Sequence, residues 1–147
     1  MAQIPAEYRD LLERPVLAIL GTAMPSGDIQ LHPVWVDELD GRLRVNTARG
    51  RQKDRNLART GRATLLLVDP DNPYRYLEVR GRVVDALEAG ARQHIDQLTQ
   101  KYVGEESFPV RPGQVRVTYI IEPTRVVGHG KADSGPWERS SALPTTR

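Results

Sequence analysis

The chain has 147 residues, a formal net charge of +2 and no cysteine. That length suits one domain with a real core. Near-balanced charge argues against a general nucleic-acid binder, and the lack of cysteine excludes a disulfide framework, thiolate metal ligands and a cysteine nucleophile. The first residues lack the charged-then-apolar layout of a signal peptide, and no apolar run approaches the roughly 18 residues of a membrane helix. The expectation is a cytoplasmic protein with neither membrane nor nucleic-acid partners.

In chain order, Tyr8, Leu11 and Leu12 recur at helical spacing and Pro15 stops them, which predicts a short amphipathic helix over 6–13. Residues 16–24 form an apolar run that ends in Pro25-Ser26-Gly27-Asp28, a strand and a turn. Residues 29–37 alternate, with Ile29, Leu31, Pro33 and Trp35 on one face; Pro33 suits an edge or bulge. Asp40-Gly41 marks a hairpin, and 42–47 alternates again with Leu43 and Val45 inward. A helix over 51–60 ends at Gly61. Residues 63–68 are apolar on both faces and predict a buried strand. A long strand follows over 74–84, with Gly81 a bulge. Leu87, Ala91, Ile95, Leu98 and Tyr102 predict a helix over 87–102, weakened by Gly90. Strands over 114–121 and 124–127 complete a domain spanning 1–130. A polar tail, 131–147, is expected to be partly ordered or held only by Trp137. Antiparallel hairpin-linked strands with few helices predict a mainly β fold, a closed or half-open β-barrel with flanking helices.

The chemistry concentrates where a strand ends near Thr47, a glycine turn follows and a helix begins near Arg51. Arg49, Arg51, Lys53, Arg55, Arg59 and Arg62 face the single acid Asp54. A helix N-terminus offers free N–H groups and partial positive charge, a natural phosphate site, to which arginine adds planar bidentate donors and Thr47 a hydroxyl. From spacing alone a solvated basic helix face competes with this reading. A P-loop is excluded because no Gly-Lys-Ser/Thr follows the glycine, and G-x-G-x-x-G is absent.

The stretch Val45-Asn-Thr-Ala-Arg-Gly-Arg-Gln-Lys-Asp-Arg-Asn-Leu57 resembles the cofactor-phosphate motif of the pyridoxamine-5′-phosphate-oxidase-like superfamily, and more narrowly its deazaflavin (coenzyme F420)-dependent reductase branch. Pro33-Val-Trp-Val36, Tyr76-Leu-Glu-Val-Arg-Gly81 and Lys101-Tyr102-Val-Gly104 are similar to the same family, in the same order. The resemblance implies a homodimeric, FMN-binding-like split β-barrel. In it Arg51 and Lys53 hold the cofactor phosphate with help from Thr47 and Asn56, and the backbones of Ala48 and Arg49 lie alongside. Tyr74 and Tyr76 match positions near the cofactor, and Trp35 is a candidate to stack on its ring or to pack at a barrel or dimer interface. Positive charge beyond a phosphate clamp, at Arg49, Arg55 and Arg59, suits the polyanionic tail of F420.

The implied activity is reduction of an unsaturated small molecule with F420 as hydride carrier. Two alternatives stand beside it: an FMN-dependent oxidase or reductase of the same fold, and a non-catalytic flavin, deazaflavin or haem binding module. In such enzymes the ring carries the redox chemistry, and no catalytic acid or base is evident. His32, His94 and His129 lack metal-ligand spacing. Oxidation of pyridoxamine phosphate itself needs a second phosphate site, for which only Arg80 and Arg82 offer a candidate.

Overall fold

The computed structural model describes residues 1–132. After a 3₁₀ turn (Ala6–Tyr8) and helix α1 (Asp10–Glu13) come β1 (Ala18–Ala23), β2 (Ile29–Val34), β3 (Asp37–Leu39) and β4 (Arg42–Ala48). Helix α2 (Gln52–Thr60), β5 (Arg62–Val68), β6 (Tyr76–Leu87), helix α3 (Ala91–Val103) and β7 (Arg116–His129) follow. All strands join one antiparallel seven-stranded sheet in the order β2-β1-β5-β6-β7-β4-β3.

Its two edges, β2 and β3, are connected by Trp35 and Val36 alone, so the sheet must curl until they nearly meet: a split barrel. Alternation places Ala18, Leu20, Leu43, Val45, Leu65, Leu67, Leu77, Val79, Val117, Tyr119 and Ile121 inside, as period-2 patterning requires. The split would strand buried backbone groups, and α3 satisfies them. Lys101 Nζ donates to the carbonyls of Leu12 (2.5 Å) and Val36 (2.6 Å). The Tyr102 hydroxyl donates to Val16 O at 2.6 Å and accepts from Val36 N at 3.2 Å.

The hairpin at Asp40-Gly41 forms as read, with φ of 54° and 81° at the two turn residues. Elsewhere long-range pairing overrides local pattern. Leu87 ends β6 instead of starting a helix, and Gly90, at φ 79°, caps α3 instead of weakening it. The last two predicted strands are one, β7, which carries Pro123 opposite Gly81 at a register shift where the missing N–H costs nothing. In β5 the inward Ala63 and Leu67 are buried, whereas the outward Leu66 lines, with Ile19, Ile29 and Leu31, an apolar hollow of about 550 Å³. Ile29 and Leu31, on edge strand β2, are 62% and 64% exposed. The tail reading, including Trp137, falls on residues 133–147, outside those described.

Candidate functional site

Strand β4 ends at Ala48, Gly50 turns the chain at φ 92°, and Arg51, extended, leads into α2. Asp54, on the first turn of that helix, locks the corner. Its carboxylate accepts from Gly50 N at 2.9 Å, Tyr119 Oη at 2.6 Å and Arg49 Nη1 at 3.1 Å. Burial pushes the Asp54 carboxyl upward, but these hydrogen bonds outweigh it and hold it below the usual carboxylate range. Burial together with Asp54 drives the Tyr119 phenol up. Arg49 N donates to Val115 O at 2.8 Å, which ties the turn to the approach of β7. Among the described residues no side chain caps α2, which leaves its first N–H groups available.

Three cations converge here. Arg51 begins the corner, Lys53 lies half-buried on α2, and Arg116, nearly buried at the start of β7, is register-paired with Ala48. Burial lowers the Lys53 ammonium, and Arg51 and Arg116 lower it further. Burial and then Arg51 likewise lower Arg116. Among the described residues none of the three forms an ion pair with a carboxylate. Lys53 Nζ lies 3.4 Å from His32 Nδ1 of β2. Among the described residues the buried Thr47 hydroxyl has no hydrogen-bond partner. Desolvated like charges without a counter-charge oppose folding, and a dianion at a helix N-terminus answers that deficit. The residues present therefore fit a cofactor phosphate.

The other expected residues divide. Arg49 is committed to Glu88 and Asp54. Arg55 folds onto Gly50 O and Gln52 Oε1. The Asn56 amide is wholly engaged in scaffolding: it accepts from Gln52 Nε2 at 2.8 Å and donates to Thr22 Oγ1 at 3.1 Å, fastening α2 to β1. Trp35 stacks on Tyr102, centroids 5.4 Å apart and planes 11° off parallel, and meets Phe108 edge-on at 6.4 Å. Phe108 lies 5.1 Å beneath the Arg116 guanidinium, so Trp35 joins the corner through one intermediary ring. Tyr74 and Tyr76 are not brought there within one chain. Tyr76 opens β6 opposite His129, on which it stacks, whereas the corner adjoins the other end of that strand, where Leu87 faces Thr118. About 35 Å of strand separates the two ends. Arg80 is spent on Glu78, and Arg82 shares Glu122 with Arg42. Neither is a spare phosphate ligand.

Arg116, Phe108, His32 and Asp54 are the participants that sequence reading missed. The first three come from distant segments, and only the β4–β7 pairing and the curl of the sheet deliver them. Asp54 had a local signal, an acid on the first turn after a glycine.

The fold and the corner coincide with a match of residues 4–128 to the family described as pyridoxamine 5′-phosphate oxidase. The chain belongs to this family. Among solved structures of the oxidase fold, one named "F420 Reductase" is 35% identical, covers 84% of this chain and 98% of its own, and has a TM-score of 0.77. A conserved hypothetical protein from Mycobacterium tuberculosis is 23% identical over 88% of this chain and 86% of its own, at a TM-score of 0.68. A putative pyridoxamine 5′-phosphate oxidase from Listeria innocua is 16% identical over 81% and 92%, at 0.61. The latter two share the fold alone. No curated protein matches the chain. Among the described residues no helix is long and apolar enough to cross a membrane.

Proposed function

We propose that this chain is an oxidoreductase that uses coenzyme F420 to reduce an unsaturated small molecule such as an enone or a quinone. The observation that carries the reading is the cluster of Arg51, Lys53 and Arg116 at an uncapped helix start, unbalanced by any carboxylate among the described residues. These side chains and the first amides of α2 hold the phosphate. Asp54 and Tyr119 keep the corner rigid, and Phe108 and Trp35 wall it. A bound reduced deazaflavin supplies a hydride, so the chain's own work is to bind, orient and exclude water.

The choice of F420 over FMN is supported by charge and by likeness. Among the described residues Arg55 and Arg59 meet neutral acceptors, leaving positive charge beyond a single phosphate for a polyanionic tail. The reductase neighbour, at 35% identity, points the same way. FMN is the second reading, since the corner itself suits any one phosphate.

The reading includes a homodimer. The apolar hollow over β1, β2 and β5 is closed by a second copy in an isologous contact. The far margin of that sheet face carries Tyr76 and His129. In this reading, two-fold pairing would carry one copy's Tyr74 and Tyr76 toward the other's corner.

The test is anaerobic turnover: oxidation of reduced F420, followed by absorbance, with a panel of enones and quinones as acceptors. Acceptor-dependent oxidation supports the reading. Protein that purifies yellow with FMN and leaves reduced F420 untouched overturns the choice of F420.

A further inference from the structure

Arg116 is the residue on which the phosphate corner depends and whose orientation has the least obvious cause. It is 6% exposed, yet every partner the structure gives it is neutral. Its Nε donates to Asn46 Oδ1 at 2.9 Å, its Nη1 to Gln114 Oε1 at 3.2 Å, and its face rests on Phe108. A carboxylate at position 46 would hold the guanidinium equally well but cancel its charge. An amide holds it and leaves the charge unspent.

The Asn46 amide is in turn oriented by groups that fix which end is oxygen. Its Nδ2 donates to Ala91 O at 2.8 Å and lies 3.3 Å from His94 Nδ1. On its far side His94 Nε2 faces Asp37 Oδ1 at 3.2 Å, which assigns the ring proton to Nε2 and leaves Nδ1 as the acceptor. The Thr118 hydroxyl, 3.0 Å from Nδ1, fits the same tautomer. Asp37 is gripped by Arg44 through both oxygens, at 2.9 and 2.7 Å. A continuous series thus runs Arg44–Asp37–His94–Asn46–Arg116 across β3, β4, α3 and β7. Were the imidazole turned or removed, the amide would keep Ala91 O and the 3.4 Å contact with Thr118 Oγ1 but lose the acceptor at Nδ1, and its hold on the guanidinium would loosen.

We propose that Asn46, oriented by His94 and Asp37, is a positioning residue that keeps the Arg116 guanidinium aimed into the phosphate corner. This rests on the phosphate reading above and adds a buried device behind it, one that touches neither cofactor nor substrate.

A double-mutant cycle on the full chain tests it, with F420 and FMN as the titrated probes and thermal unfolding as the control for folding. His94→Leu and Asn46→Ser are each expected to weaken binding about tenfold. His94→Gln, which can donate to Asp37 and accept from Asn46, is expected to stay within about threefold of wild type. In an Arg116→Met background the same substitutions are expected to change affinity less than twofold, because the group they position is gone. Equal losses in both backgrounds, or no loss in either, overturn the positioning role while leaving the corner standing. Wild-type protein that binds neither probe overturns both.

Discussion

Lys53 shows what a candidate binding residue costs the fold. Its ammonium is pressed below the ordinary lysine value of 10.5 by burial and by the neighbouring guanidinium groups. A lysine whose folded value is depressed opposes folding wherever it must remain charged, and the penalty eases as pH rises toward the unfolded value. Lys53→Met is therefore expected to raise the midpoint of thermal unfolding at pH 7 by a few degrees while weakening phosphate binding at least tenfold. Asp54 has the opposite sign. Its carboxyl lies below the usual 3.8, so its contribution is present above that pH and is lost as pH falls through the folded value. Asp54→Asn is expected to cost about 2–3 kcal/mol in urea unfolding at pH 7, with the gap to wild type closing in strong acid.

At the level of elements, the strongest signals in the chain were local ones. The Asp40-Gly41 turn and the stop at Gly61, which takes φ 65°, follow from residues that tolerate left-handed backbone, and both formed where expected. So did the corner between β4 and α2, because Arg51 and Lys53 sit in one contiguous segment. What local pattern does not carry is the outcome of pairing. Leu87 has helical spacing but is held on β6 opposite Thr118, and β7 runs through Pro123 because the bulge at Gly81 absorbs it. Arg116 joins the cationic cluster only because β7 lies beside β4. Gly81 tests this level: a Cβ there would stand 2.5 Å from Ile121 Cγ2 and 2.7 Å from Glu122 O. Gly81→Ala is expected to destabilise the fold by about 1–3 kcal/mol, measured by urea unfolding.

For the whole molecule, the cationic corner and the Tyr74–Tyr76 segment lie toward opposite ends of one sheet, and an apolar hollow on β1, β2 and β5 is flanked by the exposed Ile29 and Leu31. In the proposed homodimer a second copy laid across that hollow would cover the exposed side chains. Leu31→Asp is expected to give a monomer by light scattering and to weaken F420 binding, although every residue of the corner is untouched. Titration of the purified protein with F420 and with FMN, read by fluorescence, tests the cationic corner most directly. Micromolar binding of F420 that falls at least tenfold in both Arg51→Ala and Lys53→Ala is the expected result. Binding indifferent to both substitutions, or none by the wild type, would contradict it.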